Sequence, residues 1–377
     1  MSRVVFISFF LSLCLSSCDN KSFDTKNKSG EGFLPIDTLR FERDSTTFNF
    51  SNFYKLSNEF EDSYILGNTE GRALIFYDEN AKISKKVPLE VGGPQGILGP
   101  VSGIYAHNPD TICVFSLGKV FMMNESGKIF DTRFVLRFDK QINYYVTSSL
   151  PAKIVDNKLY YAPLHFGYYR DTGVSWSTDL ADKNAKPQFT GYYPEDMKDG
   201  VWIGHPHLEN YNTFHTKKGT FIYGIPGDPY LREYDYKGEE VKHWAAPEDF
   251  GELTPMFADE NDTKANGKQV GLRAFSKYIF SFVAYDPYKD LIYRAYYHPI
   301  GKPKIESISA NNYRQELDFS ILAIDANTYE IIAESPRYKG KDFNLTNQFV
   351  NENGLHIQFK DVLEDEAAFL CFDINKN

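Results

Sequence analysis

Residues Leu74-Ile75-Phe76-Tyr77-Asp78-Glu79-Asn80-Ala81-Lys82-Ile83-Ser84 spell a short apolar strand, a polar turn opened by Asp78 and the start of a second strand. The arrangement returns from Val120 to Phe130 around Asn124, from Leu231 to Val241 around Asp235, and from Ile321 to Ile331 around Asp325. A short side-chain oxygen at the head of a turn accepts hydrogen bonds from backbone amides just ahead of it, so Asp or Asn is kept there while neighbouring residues vary. The turn heads Asp78, Asn124, Asp235 and Asp325 stand 46, 111 and 90 residues apart, about one unit or about two. A hairpin recurring at this interval constrains the fold more than any other feature of the chain. It marks a bladed β-architecture, in which each unit is a small antiparallel sheet.

Six such units open in turn, near Phe53, Gly103, Ala152, Thr213, Tyr278 and Leu355, at about 60 residues per blade. The 31 Phe and 26 Tyr suit half-buried pleated surfaces. Helical periodicity is nowhere sustained, although Ala246 to Phe257 has room for a short helical turn. The strand around Leu39 is free to complete the last blade and close the ring, leaving no long exposed edge. The expected fold is therefore all-β, a six-bladed β-propeller over residues 33–377. The alternative is a seven-bladed ring, with the extra blade within residues 164 to 205, where the repeat has no clean copy.

The first residues read as a targeting segment. Arg3 precedes an apolar run, Val4 to Leu15, of signal-peptide length and too short for a typical spanning helix. The run ends in Leu15-Ser16-Ser17-Cys18, which resembles the lipobox of bacterial lipoproteins. That resemblance implies cleavage before Cys18, a diacylglyceryl group on its thiol and an acyl chain such as palmitate on the new amine. Two or more chains hold a protein stably in a membrane where one does not. Residues 1–17 are then a lipoprotein signal peptide, and residues 18–32, polar and rich in Lys, Ser, Asn and Gly, a flexible tether. Cys14 leaves with the leader, so Cys113 and Cys371 remain as thiols. Both lie in strand-like runs, where a buried, inert cysteine is the ordinary outcome, and no spacing demands a disulfide between them.

The formal charge is −10, and it becomes −11 once the leader, with Arg3 and no acid, is removed. An acidic body excludes nonspecific nucleic-acid binding and argues against lying flat on anionic lipid. The lipobox, the strand–Asp turn–strand unit and Gly92-Gly93-Pro94-Gln95-Gly96-Ile97 together resemble domain-of-unknown-function family 4221, envelope lipoproteins of gut-type Gram-negative bacteria related to six-bladed propellers. The resemblance implies a propeller fold and a lipid-anchored place in the envelope, at the outer membrane. It implies no known reaction.

Propeller geometry sorts the loops. If the repeated Asp turn joins third and fourth strands, blade-to-blade connections and second-to-third loops share the other face, where propeller ligands usually meet the disc or its central channel. By this sorting Gly92 to Gly96, Lys198 to Asn210, Glu248 to Lys277 and Arg337 to Asn353 are inter-blade loops. Pro226 to Pro229 and the long Pro299 to Asp318 insertion join them on that face. Gly92 to Gly96 lacks the Lys-Ser/Thr of a phosphate loop and reads as a turn. His205 and His207, with His215 eight residues on, form the one histidine cluster, and Trp202 beside them is suited to stack on a sugar or peptide. Imidazoles at i and i+2 on an extended strand point the same way, as metal ligands must, but no third ligand stands at a suitable spacing and Pro206 bends the segment. Hydrogen-bonded loop histidines are the simpler reading, and no metal or cofactor is expected. Asp78, Asp235 and Asp325 read as turn residues rather than calcium ligands.

No Gly-x-Ser-x-Gly elbow, His-Glu-x-x-His helix or Cys-x-x-Cys pair is present. The expectation is a non-enzymatic binding or scaffold protein that presents Trp202, His205, His207 and His215 to a protein, peptide or glycan. The alternative is a hydrolase or lyase acting on a polysaccharide or peptide through carboxylates or the His205–His207 pair.

Overall fold

The computed structural model describes residues 33–44, 52–56, 63–68, 70, 72–93, 96–135, 142–144, 146–165, 173–192, 211–235, 239–251, 276–301, 317–360 and 365–374. Six four-stranded antiparallel sheets are arranged as blades of a β-propeller. The opening strand β1 (Phe33–Glu42) belongs to the last blade. Blade one is β2 (Asn52–Lys55), β3 (Tyr64–Asn68), β4 (Ala73–Tyr77) and β5 (Ile83–Pro88). Blade two is β6 (Val101–Asn108), β7 (Thr111–Ser116), β8 (Lys119–Met123) and β9 (Ile129–Phe134).

Blade three takes β11 (Lys153–Val155), β12 (Lys158–Tyr161), β14 (Gly173–Asp179) and β15 (Gln188–Tyr192), while β10 (Ile142–Tyr144) and β13 (Pro163–His165) pair beside it. Residues 173–192 thus complete the third blade, and the seven-bladed alternative is set aside. Blade four is β16 (Tyr211–His215), β17 (Thr220–Gly224), β18 (Tyr230–Tyr234) and β19 (Glu240–Trp244). Blade five is β20 (Ile279–Asp286), β21 (Leu291–Tyr297), β22 (Asp318–Asp325) and β23 (Ile331–Glu334), with β24 (Tyr338–Lys339) pairing β22. Blade six is β25 (Phe343–Asn351), β26 (Gly354–Phe359), β27 (Glu366–Ile374) and then β1.

All four repeated turns join third to fourth strands, and their chemistry is the expected one. Asp78 Oδ1 accepts the amides of Asn80 (2.9 Å) and Lys82 (2.8 Å). Asn124 Oδ1 takes those of Ser126 and Lys128, each at 3.1 Å. Asp325 Oδ1 takes those of Asn327 (2.8 Å) and Thr328 (2.9 Å), and Asp235 Oδ1 that of Glu239 (3.2 Å). Three residues after the turn head, Gly127 has φ +81° and its counterpart Ala81 φ +59°. A side chain at Gly127 would also press on Val87 of the preceding blade, which explains why glycine stands there.

In an antiparallel four-stranded sheet the first and third turns lie at one end, the middle turn and the blade-to-blade connections at the other. The disc therefore has an Asp-turn end and a loop end. The ring closes through β1, which runs antiparallel to β27 from Phe33 opposite Ile374 to Glu42 opposite Glu366.

Arg337 to Asn353 is the main correction to the secondary structure. It is not an inter-blade loop: after a 3-10 turn at Gly340–Asp342, β25 forms the inner strand of blade six. Its register against β26 shifts between Asn344 and Gln348, and Asn347, Gln348 and Phe349 are buried in succession, so burial does not keep a strict alternation. Its Asn, Thr and Gln residues weaken the strand signal further. The sequence accordingly opens the sixth unit one strand late, at Leu355. Ala246 to Gly251 holds turns, with the Phe250 amide bonded to the Pro247 carbonyl at 3.0 Å; residues 252–257 lie outside the described residues.

The middle of the ring is crossed by Val146–Leu150. Val146 bridges Gly103 of β6. Ser148 Oγ accepts the Phe53 amide of β2 (3.3 Å), and the Ser148 carbonyl accepts Gln348 Nε2 of β25 (3.1 Å). Ser149 Oγ donates to the Leu345 carbonyl (3.4 Å). One segment thus ties the inner strands of blades one, two and six. A Cβ at Gly103 would lie 2.4 Å from the Val146 carbonyl oxygen, so the approach requires glycine.

Candidate functional site

The loop end of blade five carries a cavity of about 530 Å³, within the usual range for small-ligand sites. Its wall is assembled at one end of the blade from residues in or next to each of its strands. Tyr278 precedes β20, Tyr296 and His298 end β21, Ser320 opens β22, and Glu334, Ser335 and Arg337 follow β23 out. Glu248 and Asp249 come from the connection after β19 of blade four. None of these residues neighbours another group in sequence; only the sheet order brings them together.

The polar groups are held by specific partners. Tyr296 Oη donates to Glu334 Oε1 at 2.6 Å. Burial raises the Tyr278 pKa, and its hydrogen bond to Asp249 raises it further. His298 is 5% exposed, and its Nε2 lies 2.8 Å from Ser320 Oγ. The Ser320 hydroxyl also lies 3.3 Å from the Pro336 carbonyl, and which member of the His298–Ser320 pair donates depends on the imidazole tautomer. Among the described residues Nδ1 has no hydrogen-bond partner. Burial, reinforced by Arg337, pushes the His298 pKa down to about 4.

A pH dependence follows. His356, on β26, is likewise buried and its pKa lowered to about 4 by burial, while its Nδ1 donates to the Gly354 carbonyl at 3.1 Å. In the unfolded chain both rings titrate near the ordinary 6.5. Below that value the unfolded chain binds protons that the fold refuses, so stability is complete above about pH 6.5 and falls as pH drops toward 4. Each histidine contributes on the order of 3 kcal/mol at the acid end. Unfolding midpoints measured from pH 7.5 to 4.5 should fall steeply for the native protein and less steeply for His356→Gln; parallel curves would refute the assignment.

Behind Tyr296, whose ring centroid lies 6.2 Å from that of Phe280, is a buried charge network. Arg294 of β21 is 1% exposed and spans two blades: Nη1 donates to the carbonyls of Pro229 (3.0 Å) and Ala245 (2.8 Å), and Nη2 to that of Asp228 (2.7 Å). Its guanidinium stacks 3.4 Å from the Phe280 ring centroid. Burial lowers its pKa only to about 9, so it stays charged at neutral pH. Asp228, fully buried, accepts Arg232 Nε (2.8 Å) and the Tyr230 amide (3.1 Å), and Arg232 continues to Glu240 (2.7 Å).

Of the residues expected to form the ligand face, Trp202, His205 and His207 lie outside the described residues, as does Cys18. His215 is described, and its placement is a correction. It ends β16 at the hairpin to β17, a first-to-second turn, and therefore sits at the Asp-turn end. It is 1% exposed, stacked on Tyr285 with ring centroids 4.2 Å apart, and its Nδ1 accepts the Lys218 amide at 3.3 Å. Burial lowers its pKa. Closeness to His207 in sequence misleads here because one inner strand carries the chain from one end of the disc to the other.

Cys113 and Cys371 are free and buried, and burial pushes both thiols up to about 12, far from thiolate reactivity. Among the described residues no group of three or more His, Cys, Asp or Glu is placed to hold a metal ion. The residues that do converge, Tyr296, His298, Glu334 and Arg337, had one legible signal. Tyr296-Tyr297-His298-Pro299 ends a strand at the mouth of the long Pro299 to Asp318 insertion, on the face already assigned to loops.

No curated protein matches the chain. In fold it is similar to a solved member of the DUF4221 family from Bacteroides vulgatus, with TM-score 0.76 and 19% identity over 91% of this chain and 98% of that one. It is similar also to a Bacteroides fragilis protein described as exported, with TM-score 0.57 and 12% identity over 93% and 98% of the two chains. At such identities the likeness is one of fold. The sequence of residues 31–335 matches the DUF4221 family, a domain of unknown function, over most of the chain. With six blades, a ring closed by its first strand and that match, the chain belongs to the DUF4221 family.

Proposed function

We propose that this protein is a lipid-anchored binding protein of a Gram-negative cell envelope, taking a protein, peptide or glycan ligand on the loop end of its propeller. The observation that carries the reading is the blade-five cavity, where side chains in or next to each of the four strands and from the preceding connection converge. Orientation supports it. Phe33 pairs with Ile374, the last described residue of a third strand, and third strands run toward the Asp-turn end. A chain arriving from Cys18 joins the disc there and leaves the loop end turned away from the anchor. Residues 18–32 reach at most about 50 Å when extended.

Two measurements test the proposal. Cys18→Ala should move the full-length protein from the membrane fraction to the soluble fraction; a variant that stays membrane-bound removes the lipid anchor. Titration of the purified protein with envelope glycans and peptides should give saturable binding that Arg337→Trp, at an exposed position of the cavity wall, weakens at least tenfold, about 1.4 kcal/mol. Binding indifferent to that change removes the cavity from the function. One observation favours a hydrolase or lyase instead: His298, an imidazole that stays neutral at pH 7, lines the same cavity as Glu334. Product formed from a bound ligand, and abolished by His298→Phe, would select that reading.

A further inference from the structure

We infer that the protein has a second ligand site, at the Asp-turn end of the seam between blades six and one, which takes an alkyl ammonium group between His356 Nε2 on its floor and carboxylates at its rim. The site lies at the opposite end of the disc from the blade-five cavity and stands or falls without it.

A cavity of about 640 Å³ opens there, framed by two hairpins. The third-to-fourth turn of blade one brings Asp78 and Glu79 to it, and the first-to-second turn of blade six brings Glu352. Sheet register assembles the floor. His356 of β26 stands opposite Cys371 of β27, and Cys371 stands opposite Asp37 of β1. Directly opposed residues of antiparallel strands share a face, so these three form one row across blade six, and all three line the cavity. Lys55 and Tyr64 close it from blade one.

Four carboxylates, those of Asp37, Asp78, Glu79 and Glu352, border the cavity with a single cation, Lys55, so the lining is net −3. Lys55 is itself engaged, its Nζ 4.7 Å from the Tyr64 ring centroid and 3.8 Å from Glu352 Oε2. Asp37, Glu79 and Glu352 are exposed and make the rim. Acids on exposed turns are ordinary, and by themselves they would carry nothing.

The independent observation is His356, which is 2% exposed. Its Nδ1 lies 3.1 Å from the Gly354 carbonyl oxygen, a group that can only accept, so Nδ1 holds the proton and the neutral ring keeps its lone pair on Nε2. Stacking on Phe349, with ring centroids 4.6 Å apart, fixes the plane of the imidazole. No hydrogen bond reaches Nε2 among the described residues. The partnerless ring nitrogens of His215, His243 and His298 are shut off from solvent, whereas His356 Nε2 is not. In a side chain this buried, that opening is onto the cavity it lines.

An acceptor beneath a rim of carboxylates is matched by a group that brings both hydrogen-bond donors and positive charge. An ammonium has three donors and no acceptor, and on an alkyl stem it is slender enough to pass the rim. A carboxylate or phosphate would leave Nε2 unsatisfied and meet like charges. A neutral hydroxyl would satisfy Nε2 and gain nothing from the acids.

The test titrates the full chain with cadaverine and with 1,5-pentanediol, which has similar length and hydroxyl donors but no charge, and follows binding by calorimetry. Cadaverine should saturate one site per chain and bind at least tenfold more tightly than the diol. His356→Leu changes no charge at neutral pH, so the loss of at least fivefold expected from it cannot come from general attraction to an acidic protein. Glu79→Gln combined with Glu352→Gln, both at exposed positions, should weaken cadaverine by a similar factor. Glu239→Gln combined with Glu330→Gln removes the same charge from exposed positions outside the cavity and should leave binding within twofold. Equal affinity for cadaverine and the diol overturns the inference, as does the absence of saturable binding at millimolar concentration. Equal losses in the two double variants also overturn it, and they decide the matter even if His356→Leu does not fold. Unchanged binding in a folded His356→Leu protein removes Nε2 and refutes the site as drawn.

Discussion

Phe41→Ala should lower the unfolding free energy by roughly 3–5 kcal/mol, although Phe41 lies on the opening strand, where truncation is usually mild. The reason is that β1 belongs to two blades at once. By hydrogen bonding it is the outer strand of blade six. By packing it is the partner of blade one. Phe41 is fully buried and meets Tyr64 and Tyr77 edge-on at centroid distances of 5.1 and 5.2 Å, with Phe53 at 4.5 Å and Phe369 at 5.6 Å. Beside it, the Glu42 amide donates to the Ala81 carbonyl (3.0 Å), and Glu42 Oε2 accepts the Ile83 amide (3.0 Å). Removing the ring therefore opens a cavity at the seam where the propeller closes. Denaturant unfolding of Phe41→Ala beside Ile36→Ala, a half-exposed control expected within about 0.5 kcal/mol of the native chain, checks the claim. A loss at Phe41 below about 1 kcal/mol would mean that the ring does not depend on this seam.

The second large effect belongs to Asp228. Replacing it with Ala removes the fully buried carboxylate that faces Arg232 and leaves a guanidinium 3% exposed with Glu240 as its remaining described anion. Breaking one side of a buried pair in this way costs about 3–5 kcal/mol, because the surviving charge must be desolvated without its partner. Asp228 and Glu240 together hold the Arg232 pKa above its ordinary value despite burial. The loop that carries Asp228 also supplies the Asp228 and Pro229 carbonyls that accept hydrogen bonds from Arg294, so its loosening should reach Arg294 and the Phe280 ring it stacks on. Asp228→Asn keeps the shape and one acceptor for Arg232 and should cost less than half as much. Thermal and chemical unfolding of the two variants would show the ordering. Equal losses would mean that charge at this position is immaterial and only the hydrogen bond counts.

Much of the architecture is legible in the chain itself. The Asp78, Asn124, Asp235 and Asp325 turns depend on contacts between residues two to four apart, and that chemistry is written locally. Strand alternation between such turns is local too, which is why blades one, two, four and five are laid out correctly. Reading failed where local rules are broken. β25 has a register shift and polar residues because it lines the ring centre beside Ser148 and Ser149, and a strand adapted to that contact loses its periodic signature.

The candidate site shows the same division at longer range. The sequence by itself determined an all-β bladed ring, the end of the disc that carries the variable loops, and two segments, opening at Glu248 and at Arg337, whose first residues line the cavity. It pointed to His205 and His207 for want of any other histidine cluster, and it grouped His215 with them although the inner strand carries that residue to the opposite end. Only the tertiary structure decided that Asp249, His298, Ser320, Glu334 and Arg337 share one wall, and that a segment of blade three crosses the centre. The physical reason is that turn and strand signals reflect neighbours along the chain. A binding wall instead depends on the order and twist of four strands whose facing residues are separated by loops of unrelated sequence.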